Sequence, residues 1–207
     1  MSSVLLVLAD SRFPGGGHAH SGGVEEAAAR GLIADESSLA SFLDGRLRTN
    51  GLVSAAFAAA AVDSDWSTLD VELDARTPSP AQRAASRAQG KSTLRAGRVA
   101  WPSPRLSELS QPHHAIAVGA LVSVAGGTAV EAAECAAYLA VSGPASAAVR
   151  LLGLDPFRVN AIVARLDLAS VVDEALKGLS MLGAPALDLF ADSHARIHQQ
   201  EVRLFVS

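Results

Sequence analysis

Residues 85–92 come nearest in this sequence to a catalytic motif, because they end in the Gly-Lys-Ser of a phosphate-binding loop. In such a loop the lysine, here Lys91, pairs with phosphate oxygens and the serine, here Ser92, binds Mg²⁺. The loop must follow a buried strand, whereas residues 77–84 contain two prolines and no strand pattern, and the stricter motif requires glycine where Ala85 stands. We therefore expect a solvated basic helix face. A small helical nucleotide hydrolase that uses Lys91 and Ser92 stays as the alternative.

Three pairs of histidines could each offer two imidazoles to one metal ion. A metal cage needs three or four ligands, and no carboxylate or cysteine at helical spacing completes the first two pairs. We expect hydrogen-bonded histidines and no firm metal site, with the first and third pairs as weak candidates. The pairs are His18 with His20, His113 with His114, and His194 with His198.

The chain has one cysteine, Cys135, which excludes a disulfide framework within the chain and any four-cysteine zinc site. Cys135 falls in an apolar helical stretch, where a thiol is usually buried and unreactive. No serine stands in the Gly-x-Ser-x-Gly pattern of a hydrolase nucleophile. We therefore expect a protein that is not an enzyme.

The composition favours helices as the elements that position these residues. The chain has 207 residues, 49% of them hydrophobic and 4% aromatic, and it is rich in alanine. A chain of this length removes about 70% of its unfolded surface from water on folding, so its core needs neither metal nor disulfide. We predict an all-α fold, a single-domain bundle of about eight to ten helices over residues 1–207.

The charge and hydropathy patterns exclude two classes of partner. A formal charge of −4 and scattered arginines provide no basic face for nucleic acid. The apolar residues 4–9 have no basic residue before them and soon meet Asp10, which is unlike a signal peptide. The longest uncharged stretch, residues 109–130, falls short of the ~20 mostly apolar residues of a membrane span. We expect a cytoplasmic protein that binds neither nucleic acid nor membrane.

Glycines, prolines and apolar spacing divide the chain into helical segments. Residues 63–80 turn polar, and their helical pattern weakens. Gly143 and Pro144 are expected to kink or break their helix, and Ser21 is expected to cap the helix that it opens. The predicted helices cover residues 21–29, 39–50, 52–62, 81–100, 114–124, 129–141 and 156–183, and a last one begins at Pro185.

Three segments are expected to contact partner proteins. Residues 10–23 form an unusually long loop with five glycines, and long ordered loops often carry function. Basic residues spaced four apart line one face of the helix over residues 81–100, where an acidic partner or plain solvation fits equally well. The tail, residues 202–207, is largely apolar. The candidate residues are Asp10, Ser11, Pro14 and Gly16 in the loop, Arg83 and Arg87 on the helix, and Arg203, Leu204 and Phe205 in the tail.

Residues 5–26, LLVLADSRFPGGGHAHSGGVEE, resemble the amino-terminal signature of the urease accessory protein UreF family. In that family an apolar start precedes an Asp-Ser-x-x-Pro-x-Gly loop and a Ser-x-Gly-x-Glu helix opening. Residues 73–90, 112–119 and 194–207 resemble later family segments in the same order, so the resemblance covers essentially the whole chain. A polar segment that the family often carries is shortened after residue 152, and the alanine-rich form is typical of an actinobacterial branch.

The resemblance implies an all-α homodimer with no chemistry of its own. Members of the family bridge a UreD-type protein, also called UreH, and the UreG-type GTPase, and the assembly delivers nickel to apo-urease while GTP is hydrolysed. The resemblance therefore implies no intrinsic cofactor, with nickel and GTP handled by the complex.

Overall fold

The computed structural model describes residues 3–185 and residue 193, and within them the chain forms ten α-helices and no strand. The all-α prediction is therefore confirmed. One π-helical turn, Leu47–Gly51, and three short 3-10 helices, Gly17–Ala19, Pro104–Glu108 and Leu179–Met181, complete the helical elements. The α-helices are α1 Ser3–Ala9, α2 Val24–Ala29, α3 Glu36–Arg46, α4 Leu52–Ala60, α5 Trp66–Arg76, α6 Pro80–Ala100, α7 His114–Val124, α8 Ala129–Leu152, α9 Pro156–Arg165 and α10 Leu168–Ala175.

Side-chain caps explain where six of these helices begin. In each, an oxygen of an aspartate, serine or threonine accepts a backbone N–H that has no partner within the helix, which contributes about 1 kcal/mol per cap. Prolines occupy the first position of α6 and α9, where the missing N–H costs nothing. The capping residues are Asp35, Asp65, Ser79, Thr128, Asp155 and Asp167.

The helices enclose two apolar clusters that share α4 and α8. The first cluster lies among α1, α4, α5, α6, α7 and α8, and the second among α2, α3, α4, α8, α9 and α10. Helices α4 and α7 approach closely at Gly119, where a Cβ atom would lie 2.2 Å from the carbonyl oxygen of Ala58. Only glycine permits this spacing, so the centre of the bundle depends on a missing side chain.

Helix α8 contacts most other helices of the bundle. Among the described residues it is the one helix that is long and apolar enough to cross a membrane. Its most apolar stretch of 18 residues has a mean hydropathy of 1.3, and 44% of that stretch is buried inside the bundle. Its central position between the two clusters accounts for its apolar composition.

Helix α8 also runs through Pro144 to Leu152, so the predicted end at residue 141 is wrong. Because proline has no N–H, the carbonyl of Ala140 cannot receive its usual helical hydrogen bond. The Nε of Arg46, whose residue is only 8% exposed, donates to that carbonyl at 2.9 Å. The side chain of α3 thus replaces the bond that the proline removes.

Three other helix boundaries differ from the predictions. Residues 63–80 contain α5, which buries only three residues, Trp66, Leu69 and Leu73, so its apolar stripe is too narrow to be recognised. The segment from 156 to 183 splits where Leu166 becomes extended and Asp167 caps α10. The predicted helix end near residue 50 is absent because the π-helical turn carries α3 directly into α4.

The amino end of α2 is formed differently from the prediction. Gly23, with φ of 89°, occupies the cap position of α2 and makes no side-chain hydrogen bond there. The Ser21 hydroxyl accepts the N–H of Glu25 only at 3.5 Å, so Ser21 acts from outside the helix. The last predicted helix, from Pro185, and the tail 202–207 lie outside the described residues, apart from Pro185 and Ser193.

Candidate functional site

The loop over residues 10–23 is folded against the body of the protein. Its first turn is closed by Asp10, whose carboxylate accepts the N–H of Arg12 at 2.8 Å and binds the Arg12 guanidinium at 2.6 Å. The hydrogen bonds from the Arg12 side chain and backbone lower the pKa of Asp10 to about 2. Ser11 and Pro14 are exposed beside this turn. Asp10 therefore shapes a surface that presents Ser11 and Pro14 to solvent.

The middle of the loop packs on α6. Gly16 has φ of 78°, in the left-handed region that favours glycine, and a Cβ atom there would lie 3.3 Å from the Cβ of Ser92. The hydroxyl of Thr93 donates a hydrogen bond to the Gly15 carbonyl at 3.4 Å. These contacts seat the loop against the carboxyl-terminal half of α6. Asp10, Ser11, Pro14 and Gly16 thus lie on one segment that packs on the body of the protein, and their contact with a partner stays a prediction.

The end of the loop packs on the side chains of Arg46 and Pro144. Gly22 has φ of 60°, and a Cβ atom there would lie 2.6 Å from the Pro144 ring and 3.0 Å from the Arg46 guanidinium carbon. Arg46 therefore joins three parts of the protein: α3, the interrupted ladder of α8 and the loop. Sequence reasoning missed this residue, although a proline within a long apolar helix indicates that an outside donor is needed.

A cavity of about 410 Å³ lies beneath the loop, between the π-helical turn, α6, the start of α7 and α8. Its wall includes His18, His20 and His114 as well as Asn50 and Tyr138. Burial, with a smaller effect of neighbouring histidines, lowers the pKa of His20 and of His114 to about 4. Both imidazoles are therefore neutral near pH 7, so they contribute polar but uncharged groups to the cavity.

The structure brings His18 and His20 to the same cavity wall. In the part of the chain that the structure describes, no three His, Cys, Asp or Glu side chains are grouped to hold a metal ion. His194 and His198 fall outside the described residues. Burial raises the pKa of the Cys135 thiol to about 12, which makes it the unreactive core residue expected.

His113 joins a polar network between α5, α6 and α7. Its side chain is 1% exposed, with Nε2 2.8 Å from Asp74 Oδ1 and Nδ1 3.0 Å from the Ser86 hydroxyl. Its backbone N–H donates to Asp70 at 2.8 Å. Burial lowers the pKa of His113. His113 is thus a hydrogen-bonded residue that fixes the start of α7, which agrees with the expectation of hydrogen-bonded histidines.

Arg87 completes this network. Its guanidinium donates to Asp70 and Asp74 at 2.7 Å each and to the carbonyl of Gln111 at 2.7 Å. Burial alone would raise the pKa of Asp74. The hydrogen bonds with His113 and Arg87 together outweigh this effect, so the pKa of Asp74 is lowered. Arg83 donates to the Thr77 carbonyl at 2.6 Å.

Arg83 and Arg87 are therefore held by contacts within the chain. Their side chains still expose 33% and 27% of their surface. Their expected contact with a partner stays a prediction.

The Gly-Lys-Ser segment does not form a phosphate loop. Residues 85–92 lie within the continuous helix α6, so their backbone groups belong to the helix. Gly90 packs against the segment before α7, since a Cβ atom there would lie 2.0 Å from the Pro112 carbonyl oxygen. The Ser92 hydroxyl donates to the Ala88 carbonyl at 3.2 Å. This stretch serves helix packing, and the proposed use of Lys91 and Ser92 for nucleotide hydrolysis lacks the required backbone conformation.

Comparison with known proteins finds similarity along the whole chain. The family model named UreF matches residues 33–167. A protein of Mycobacterium marinum is 44% identical over 210 residues, which cover 99% of this chain and 98% of the relative. One of Mycolicibacterium vanbaalenii is 45% identical over 218 residues and covers 100% of both chains, and one of Mycobacterium tuberculosis is 42% identical over 211 residues, 99% and 98% of the two chains. Each of the three relatives is named urease accessory protein UreF.

Proposed function

The chain belongs to the UreF family of urease accessory proteins, and we propose that it is a scaffold for loading nickel into apo-urease. Its role is an accessory one in urease maturation and not a catalytic one. The observation that carries the proposal is the identity of 42–45% over at least 99% of the chain to relatives that bear this name. In this role the chain bridges a UreD-type (UreH-type) protein and the UreG-type GTPase. Nickel is the cargo of the complex, and GTP is bound and hydrolysed by the GTPase.

The amino-terminal loop supports the bridging role. It is long, glycine-rich and exposed in part, yet hydrogen bonds and packing on α6 hold it in one conformation. A loop that is ordered before binding loses less conformational entropy in a complex than a mobile loop does. A scaffold for a GTPase also needs surfaces that bind one nucleotide state better than the other, and such surfaces require a defined shape.

The scaffold acts in the cytoplasm as a homodimer, so each assembly presents two copies of the loop. The carboxyl-terminal tail, with Arg203, Leu204 and Phe205, contacts the UreD-type partner. Burying a phenylalanine or leucine side chain contributes about 1.5–3 kcal/mol, so Leu204 and Phe205 would supply the apolar part of this contact.

Reconstitution tests the function directly. Apo-urease is mixed with nickel, GTP and the purified UreD-type and UreG-type proteins, with and without this chain, and urea hydrolysis is measured. We expect activation to require this chain and to be lost when GTP is replaced by a non-hydrolysable analogue. Equal activation in its absence would refute the proposal.

Two loop variants then test the bridge. Asp10→Ala removes the anchor of the first turn, and Gly16→Val forces a β-branched residue into the left-handed region. Both variants should weaken copurification with the accessory proteins more than they lower the melting temperature. Wild-type affinity for every partner in both variants would show that the loop does not contribute to binding.

Magnesium nucleotide titration separates this function from the hydrolase alternative. The isolated chain should neither bind nor hydrolyse GTP or ATP, because residues 85–92 are helical. Saturable binding that Lys91→Ala abolishes would favour the hydrolase.

A further inference from the structure

Helices α9 and α10 present one elongated exposed face, which we call the α9–α10 face. Only residues 166 and 167 separate the two helices, whose 10 and 8 residues correspond to about 27 Å of helix. Helix α9 packs on α3 and α8, and α10 packs on the π-helical turn, α4 and α8. The pair therefore follows the same course as α3 and α4. The face comprises the exposed residues Phe157, Ala164, Arg165, Ala169, Asp173 and Leu176.

The apolar part of the α9–α10 face is unusually open to water. Phe157 has 86% of its surface exposed, more than any other large apolar residue of the described chain, and Leu176 has 40% exposed. Between them, Ala164 and Ala169 are exposed and small, so a helix from another molecule can approach the backbone closely. Exposed aromatic side chains are typical of the residues that anchor protein interfaces.

The α9–α10 face also carries one unpaired charge of each sign. Arg165 lies four residues before Ala169 and Asp173 lies four residues after it. Within residues 3–185 and residue 193, the side chains of Arg165 and Asp173 make no hydrogen bond or ion pair. The other two charged residues of the helices, Arg158 and Glu174, each have an ion-pair partner within 4.0 Å. The two unpaired charges thus stand at equal distances along the chain from Ala169.

A second copy of the same face, turned end for end, complements this pattern. In a two-fold dimer every contact between two residues occurs twice, once in each direction. With the axis near Ala169, Arg165 of one copy lies opposite Asp173 of the other, and both ion pairs form together. Phe157 then lies toward the carboxyl end of the other copy's α10, where Leu176 is exposed.

The charge pattern favours a second copy over other occupants. Because the unpaired charges are one of each sign, the face has no excess positive charge to attract a nucleic-acid backbone or an anionic membrane. It requires a partner that carries the same two charges in the reverse order. A second copy of this chain meets this requirement with residues that are already described.

We propose that two copies of this chain pair through the α9–α10 face, with Arg165 and Asp173 forming ion pairs on both sides of a two-fold axis near Ala169. This inference rests on the proposed function, because it assigns the surface of the homodimer proposed there. Exposed ion pairs contribute little affinity by themselves, so burial of Phe157 supplies affinity and the charges fix the orientation. The opposite sides of both helices pack on the bundle, so pairing requires no change of fold.

Two charge reversals test this arrangement. Arg165→Asp and Asp173→Arg are purified separately, and sedimentation equilibrium measures self-association over about 1–100 µM. Each variant should self-associate at least about tenfold more weakly than the wild type, since like charges then face each other twice. An equimolar mixture of the two variants should dimerise about as well as the wild type, because each contact again joins opposite charges. An effect within one chain would not produce this recovery.

Matched variants on α6 control for charge and for apolar surface. Arg95→Glu reverses an exposed arginine and should dimerise as the wild type does. Phe157→Ser should weaken the dimer at least about tenfold, whereas Val99→Ser, at a residue that is 83% exposed, should not. Far-ultraviolet circular dichroism checks that each variant keeps its helical fold.

Each other outcome overturns a stated part of the proposal. If the wild type and both charge variants are dimeric, the inference is wrong and the homodimer uses another surface. If both variants are monomeric and their mixture is too, Arg165 does not face Asp173. If the variants dimerise normally but no longer copurify with an accessory protein, the face belongs to that protein. A wild type that stays monomeric refutes the inference and the homodimer, whereas urease activation in the reconstitution still decides whether the chain acts as a scaffold.

Discussion

Replacing Arg46 by methionine should destabilise the protein because the Ala140 carbonyl would lose its donor. Methionine keeps most of the buried apolar stem of Arg46 but cannot donate to this carbonyl, which Pro144 leaves open. A hydrogen bond from a charged group contributes about 1.5–3 kcal/mol. At about 2–4 °C per kcal/mol for a chain of this size, the melting temperature should fall by about 3–12 °C.

A double-mutant cycle with Pro144→Ala isolates the carbonyl from the other contacts of Arg46. Alanine restores an N–H at position 144, which can bond Ala140 within α8. The cost of Arg46→Met should therefore be smaller by about 1 kcal/mol in the Pro144→Ala background than in the wild type. Arg48→Met is the matched control, since Arg48 is exposed and pairs with Asp44 on the surface, and it should cost at most about 0.5 kcal/mol.

The measurement is thermal and urea unfolding of the four members of the cycle, followed by far-ultraviolet circular dichroism. An equal cost of Arg46→Met in both backgrounds would mean that Arg46 does not substitute for the missing helical bond. In that case the stability of α8 around Pro144 would need another source.

Three further outcomes are expected. Gly119→Ala should lower the melting temperature sharply, because its Cβ would meet the backbone of α4, whereas Gly45→Ala, on a helical glycine of α3 with open space around it, should raise it by about 2–4 °C; a similar change in both would contradict the packing at the centre of the bundle. The folded-state pKa of His114, about 4, lies below its ordinary value of 6.5, so unfolding takes up a proton between these values and the unfolding free energy falls as pH drops from 6.5 to 4. His114→Gln should make urea stability less dependent on pH in that range, and an unchanged slope would refute the role of its burial. Deleting residues 202–207 should leave the helical circular-dichroism signal nearly intact yet abolish copurification with the UreD-type protein, so a truncated chain that still binds, or one that no longer folds, would assign the tail another role.

Local signals in the sequence predicted much of the helical framework. Ser79 followed by Pro80 fixes the start of α6 because both residues suit the first positions of a helix. Asp155 and Pro156 do the same for α9. Such signals act over a few neighbouring residues and can be recognised without knowledge of the fold.

The boundaries that were predicted wrongly depend on contacts between distant residues. The continuation of α8 through Pro144 needs Arg46, which lies 94 positions from Ala140 along the chain. The anchoring of Arg87 needs Asp70 and Asp74, which stand on a helix that the apolar pattern does not reveal. In the candidate site, the loop was recognisable from its glycines, whereas the pairing of Arg87 could be recognised only with the neighbouring helix in place.

The π-helical turn Leu47–Gly51 makes the position of Arg46 depend on the number of residues in a helix. Such a turn accommodates one residue more than an α-helical turn, and one residue corresponds to about 100° of rotation. Removing a single residue from 47–51 would allow α3 and α4 to merge into one regular helix and would turn the face of α3 that carries Arg46 away from Ala140. A one-residue deletion in this turn should therefore disturb α8 and the loop over residues 10–23 together, although every side chain that forms their contacts would remain.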